Sequence, residues 1–197
     1  MTKFPPRNTG QLLHLVRAYP LAWIVVARDG QFVTSVMPLL PELGADGSIA
    51  SLFGHIPLGH PQVAMLRADP RALILFQGPN AYISPAIVEK PDWAPTWNFT
   101  IAAFTVDITI VPEETDRSLR DLVAIMEETQ PQPWTVEQMG PRYGDLTKHV
   151  VAFRAVVCDI DVRFKHGQDE EPSTRAGIVH SLGAHPLAAW MADTNQP

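Results

Sequence analysis

Two Asp-Gly pairs, Asp29-Gly30 and Asp46-Gly47, punctuate the first quarter of the chain. Asp-Gly accepts positive φ at both central turn positions, so it favours two-residue hairpin turns whose twist matches the flanking strands. Each pair lies between β-rich apolar runs: Leu21 to Ala27, Phe32 to Leu40, and Ile49 to Phe53. Strand, tight turn, strand, tight turn, strand is a meander, the natural opening of an antiparallel barrel.

The rest of the chain continues this pattern with helices between and after the strands. Asn8 or Thr9 can cap a helix carrying Leu12, Leu13, Leu15 and Val16, stopped by Pro20. Pro57 to Ala68 reads as a short loop and a helix, closed by Asp69-Pro70. Thr96 to Val111 is a long strand that alternates at Val106-Asp107-Ile108-Thr109-Ile110. Ser118 with Asp121 makes a capping-box pattern ahead of Leu119, Leu122, Val123 and Met126, which predicts an amphipathic helix ending near Gln130-Pro131. A Pro-rich loop carries Trp134, and Arg142 to His149 is a further helical candidate. Val150 to Phe164 alternates over Val156, Cys158, Ile160, Val162 and Phe164 and reads as the last barrel strand. A helical segment over about 173–192 closes the chain, with Gly183 as a C-cap. About six strands and four or five helices give a mainly β (α+β) fold, an antiparallel closed or split β-barrel with peripheral helices, in one domain spanning 1–197.

The stretch from Ala72 to Phe99 is the most distinctive. Leu73-Ile74-Leu75-Phe76 has the length and composition of a buried strand, and Gly78-Pro79-Asn80 reads as a turn after it. Two Pro-containing corners flank aromatic residues and the amides Gln77, Asn80 and Asn98. That composition suits the wall of a pocket for a flat ligand, but taken alone it favours a core hairpin with well-capped turns.

Composition narrows the function classes. A formal net charge of −6 argues against a mainly electrostatic nucleic-acid binder. No apolar run is long enough to span a membrane, and MTKFPPRNTG lacks the hydrophobic stretch of a signal peptide. The single cysteine, Cys158, excludes an internal disulfide and a C-x-x-C site, and its strand position reads as a small buried hydrophobe. These features together predict a cytoplasmic protein. No G-x-S-x-G, H-E-x-x-H or P-loop is present, and no carboxylate lies between the close pair His55 and His60, which argues against a metal site.

The phrases FQGPNAYISP and APTWNF resemble the FQGPxAYISP and VPTWNY signatures of the PaiB-type FMN-binding split-barrel family, often labelled negative transcriptional regulators. In the family's order, PLAWIVVARDGQFVTSVMPLL resembles its first two strands, and Leu52-Phe53-Gly54-His55 with His60-Pro61-Gln62 its LxGH…NPQ segment. Phe164-Lys165-His166-Gly167-Gln168 resembles its FKLSQ phrase and Arg175-Ala176-Gly177-Ile178-Val179 its RAGV helix, so the likeness covers roughly residues 10 to 182. The resemblance implies an FMN-binding split barrel, a homodimer with the flavin at the subunit interface. It places the ring against Thr34, Ser35, Val36 and Met37, and the phosphate near Leu52 to Gln62, with Gly54, His55 and His60 as contacts. Gln77, Trp97, Lys165, Gln168 and Arg175 are the further candidates it suggests.

The sequence also departs from that family. Its GHLARANPQW segment is here Gly54-His55-Ile56-Pro57-Leu58-Gly59-His60-Pro61-Gln62-Val63, so Leu58 replaces the basic residue, His60 the Asn and Val63 the Trp. No Lys or Arg lies between Arg28 and Arg67, leaving a phosphate there to His55, His60, backbone amides or a cation from elsewhere. Ala86-Ile87 stands for a Trp-Tyr pair, Ala103 and Thr105 for histidines, and His166-Gly167 for Leu-Ser. The expectation is a flavin-dependent redox protein of unknown substrate. The alternatives are a non-enzymatic regulator or ligand-binding module with weak or no FMN binding, acting through a partner since no helix-turn-helix is evident, and a haem-binding barrel with His55 or His60 as axial ligand.

Overall fold

The computed structural model describes residues 4–88, 90 and 92–194; the two ends of the 1–197 span, with Glu89 and Pro91, lie outside the described residues. The strands are β1 (Leu21–Arg28), β2 (Gln31–Pro38), β3 (Leu40–Leu43), β4 (Ile49–Pro57), β5 (Arg71–Ile83), β6 (Thr96–Ile110) and β7 (Val150–Lys165). The helices are α1 (Thr9–Ala18), α2 (Pro61–Ala68), α3 (Thr115–Glu127), α4 (Arg142–Leu146), α5 (Pro172–Leu182) and α6 (Pro186–Thr194).

The strands form one sheet in the order β2-β1-β5-β6-β7-β4-β3, with every neighbouring pair antiparallel. Its two edge strands, β2 and β3, are consecutive in the chain and separated only by the buried Leu39. One bent strand therefore pairs with β1 by its first half and with β4 by its second, which closes the sheet into a barrel and removes the open edges. Gly54 marks the closure. A Cβ there would lie 2.6 Å from Leu39 Cδ2 and 3.0 Å from the Pro38 carbonyl oxygen, so the two strands approach closely only because position 54 has no side chain.

Asp29 and Gly30 take φ of 49° and 75°, the paired positive values of the hairpin turn that Asp-Gly predicts. Inside the barrel, Ile24, Val26, Ile74, Phe76, Phe104, Val106 and Phe164 alternate from their strands into one core.

Three local expectations are corrected. Gly78-Pro79 is not a turn: β5 runs unbroken from Arg71 to Ile83 and pairs with β6 on both sides of a register shift between Gln77 and Asn80. Pro79, which has no N–H to donate, sits in the bulge where pairing is interrupted. Gly78 lies tight against α1 and β6, with its would-be Cβ 2.7 Å from Leu15 Cδ1. Second, α3 begins at Thr115 without a side-chain cap, which places Ser118 inside the helix and buried rather than at its start. Third, the register between β6 and β7 shifts at Thr105/Val106. The extra residue, Cys158, is exposed beside Asp107, with Sγ 3.5 Å from Oδ2, and Val156 turns outward. The described residues hold seven strands and six α-helices, more than the sequence suggests, because the bend at Leu39 divides one strand and 142–146 forms a short helix.

Candidate functional site

The outer face of four strands is largely apolar, with Trp23, Phe32 and Val36 exposed on it. Trp23 on β1 stands directly opposite Val36 on β2 and Leu75 on β5, and Val25 opposite Thr34 and Leu73. Directly opposed residues share a face. The face continues onto β6 through Ala103, opposite Leu75, and Ile101, opposite Gln77. Trp23 is 51% exposed, a large cost in hydrated apolar surface for a residue in mid-strand. Beyond the bulge the same side of β6 carries Phe99 and Trp97, the latter edge-on to Tyr82 at 6.0 Å, while Lys165 and Arg163 on β7 form its charged rim. Thr34, Val36, Gln77, Trp97 and Lys165 thus fall on one surface, although they come from four strands.

Ser35 and Met37 point the other way. The Ser35 hydroxyl donates to Gln62 Oε1 at 2.5 Å, and Gln62 Nε2 donates to the carbonyls of Ile24 (2.9 Å) and Val33 (2.8 Å). Gln62 is fully buried and plugs the split where β2 parts from β4. Met37 packs on the core, and Gly54 lies at the closure. His60 caps α2: its Nδ1 accepts from the Gln62 N–H at 3.3 Å. The Val63 N–H goes to the His60 carbonyl, that of His60 to Pro57, and that of Leu58 to His149, while Pro61 has none to give. The backbone donors at the start of α2 are therefore already engaged, although a helix N-terminus otherwise suits an anion.

An arm of residues 112–149 joins β6 to β7 and lies over β4. His55 faces it, with Nδ1 3.1 Å from the buried Ser118 hydroxyl of α3. Burial lowers the His55 pKa and keeps the ring neutral. Beside it, Arg154 of β7 bonds Glu42 (2.7 and 3.0 Å) and Glu114 (2.7 and 2.8 Å), and Arg117 of α3 bonds both carboxylates as well. Both guanidinium groups lie over the Phe53 ring, at 4.8 and 5.1 Å from its centroid. Hydrogen bonds from Arg154 and Arg117 hold the Glu114 carboxyl at about 2. Between the arm and α2 lies an open cleft of about 610 Å³ that includes Leu58, Arg67, Tyr143 and Lys148.

At the far end of the barrel, Lys165 bonds the Thr96 hydroxyl. Gln168 staples its own turn, accepting from the His166 N–H at 2.7 Å and donating to the Phe164 carbonyl at 2.5 Å. Arg175 donates to the Glu170 carbonyl at 3.2 Å. The candidates thus lie in four places: the outer face, the plugged split, the arm contact and this far corner. Sequence reasoning did not single out Trp23 and named Ser118 only as a helix cap. Trp23 could have been found by alternation, since Ala22, Ile24 and Val26 claim the inward positions. Nothing local pairs Ser118 with His55, 63 residues away.

A closed antiparallel barrel of seven strands with helices packed around it defines a split-barrel protein. The sequence matches the family described as "Putative FMN-binding domain" over residues 1–159, so the chain belongs to that family, and FMN is the cofactor this membership assigns. The chain is 23% identical to "Protease synthase and sporulation protein PAI 2" of Bacillus subtilis (strain 168), over 96% of this chain and 92% of that protein. Among solved structures, the flavocytochrome Anf3 from Azotobacter vinelandii shares the fold with a TM-score of 0.62 at 10% identity, covering 86% of this chain and 73% of that one. An FAD and haem binding protein from Mycobacterium smegmatis does so with 0.59 at 13%, covering 86% and 77%.

The residues present fit a flavin unevenly. The ring needs a flat apolar wall with a few polar groups at its edge, and Trp23, Val36 and Leu75 with Thr34 and Gln77 provide one. The phosphate needs cations or free N–H donors. The segment 54–63 has no cation, its donors at Leu58, His60, Gln62 and Val63 are engaged, and both of its imidazoles already hold a partner.

Proposed function

We propose that this protein is a homodimeric split-barrel flavoprotein that carries FMN on the outer face of β2, β1, β5 and β6, where two copies meet, and serves as a redox protein of the cytoplasm. The observation that carries this reading is the half-exposed Trp23, set between Val36 and Leu75 on a largely apolar sheet face. A second copy laid on that face would remove the apolar surface from water and exclude solvent from a flat ligand between them. Among the described residues no helix is long and apolar enough to cross a membrane. Bound flavin supplies reversible electron transfer. This chain's part is to present Thr34 and Gln77 to the polar edge of the ring and Trp23, Val36 and Leu75 to its face. The whole chain acts as one barrel domain in this reading.

The test is the visible absorption spectrum of the purified full-length protein, loaded with FMN and then desalted. A retained flavin spectrum, near one flavin per chain, is expected. A colourless protein after loading overturns the reading. The name of the Bacillus subtilis relative, with its reference to protease synthesis and sporulation, favours a second one: a regulatory module that holds flavin without turnover. Flavin that is retained but is neither reduced by nicotinamide donors nor reoxidised by oxygen would select it.

A further inference from the structure

We propose that a cavity at the far corner of the barrel, where the start of β6 and the end of β7 meet α5, binds a small free α-amino acid. The site goes beyond the flavin reading and does not depend on it. Strand alternation separates the two: Trp97 stands exposed on the outer face, whereas Thr96 and Asn98 on either side of it line the cavity. The cavity measures about 200 Å³, below the roughly 300–1,000 Å³ of sites for drug-sized ligands. At about 30 Å³ for each water-sized group, it has room for about six or seven heavy atoms, the size of alanine or serine.

The lining sets the chemistry of the occupant. Lys165, Asp169 and Glu170 bring charges of both signs to one cavity, yet among the described residues no ion pair joins them. Lys165 is steadied by the Thr96 hydroxyl, and Glu170 accepts from the Trp93 indole N–H at 3.1 Å through Oε1, which leaves its second oxygen. Asn98 is the buried group, 2% exposed. Its Nδ2 has only the Met191 sulfur, a weak acceptor, at 3.6 Å, and its Oδ1 has no partner among the described residues. A buried amide oxygen left without a donor is costly, so a ligand that supplies one is favoured. A lone anion would meet two carboxylates, and a lone amine would meet the lysine. A zwitterion satisfies both. Its carboxylate goes to Lys165 Nζ and the Thr96 hydroxyl, and its ammonium to Glu170, Asp169 and Asn98 Oδ1, all charge-assisted hydrogen bonds. Trp93 and Ile178 close the remaining wall and leave space for a short side chain.

The experiment is an isothermal titration of the full-length protein with L-alanine, L-serine and L-threonine. Lactate, which has a hydroxyl in place of the ammonium of alanine, and ethanolamine, which is serine without its carboxylate, are titrated beside them. At least one of the amino acids should bind with a Kd of about a millimolar or below. Lactate and ethanolamine should each bind at least about tenfold more weakly, the size expected when a charge-assisted hydrogen bond is lost. Lys165→Met and Glu170→Gln should each weaken amino-acid binding by a similar factor, and Glu171→Gln, which alters an exposed neighbour outside the cavity, should not. Thermal unfolding checks that the variants keep the fold, and the comparison of ligands on the wild type stands whether they do or not. No binding of any of the three amino acids overturns the proposal. So does equal binding of lactate or ethanolamine, or undiminished binding by both folded variants.

Discussion

His166 is fully buried just past the end of β7, with Nε2 2.8 Å from the Thr100 hydroxyl and Nδ1 2.7 Å from that of Thr194. Thr194 also accepts from Gln11 Nε2 at 3.0 Å, so the ring links α1, α6 and the barrel. Burial pushes its pKa down to about 4 against an ordinary 6.5, with Asp193 opposing the shift. The folded state therefore holds His166 neutral. Above pH 6.5 neither state binds the proton and stability is unaffected. Between 6.5 and about 4 the unfolded chain takes it and the fold does not, so stability falls as pH falls, by about 3 kcal/mol across the window. Thermal unfolding scanned from pH 7 to 5 should show Tm dropping in the wild type and dropping less in His166→Gln. Equal slopes would show that His166 is not the proton-linked group. The sequence shows His166 only as a departure from a family phrase. Its partners are 66 and 28 residues away, a pairing that no local pattern encodes.

At the scale of elements, the readable parts were those set by local backbone chemistry. Asp29-Gly30 gives its turn, Asn8 caps α1 by accepting from the Gln11 N–H at 3.0 Å, and Gly183 closes α5 at φ 53°. The parts that misled depend on what lies across the sheet. Gly78-Pro79 looks like a turn until β6 pairs on both sides of it, and Cys158 looks buried until a register shift puts it outside. The arm is held by little apolar burial: α3 buries only Ser118, and the rest of the arm buries Val136. Its attachment rests on the carboxylates of Glu42 and Glu114 shared between Arg154 and Arg117. Arg154→Leu leaves both carboxylates with Arg117 alone and adds like-charge repulsion between them. Limited proteolysis should then cut within residues 128–140 several-fold faster than in the wild type, while the barrel fragments persist. An unchanged cleavage rate would mean that the arm is anchored chiefly by its backbone contacts to β4 and β7.

For the whole molecule, barrel closure leaves the outer face of β2, β1, β5 and β6 as the main surface still to be explained. The core is complete without it, since Ile24, Ile74 and Phe104 fill the inside of the same strands. The family resemblance pointed at this face through Thr34, Val36, Gln77 and Trp97. It also pointed at Ser35, Gly54 and Gln168, which the fold uses to close and staple the barrel. A sequence match cannot separate the two kinds, because both follow from the same fold. A dimer of ordinary size covers about 800 Å² on each copy, and Trp23 lies in the middle of the surface available for it. Trp23→Glu leaves the core intact, because the side chain points away from it and is half exposed. It would, however, put a charge on the face proposed for the dimer with no basic residue beside it, since the register neighbours are Val36 and Leu75. Sedimentation should show a dimer in the wild type and a monomer in Trp23→Glu, with the two proteins within a few degrees in Tm. The same variant should lose FMN in the desalting assay, because the ring would lose both its wall and its cover. A Trp23→Glu protein that stays dimeric, or turns monomeric yet still holds flavin, would place the cofactor elsewhere on the barrel.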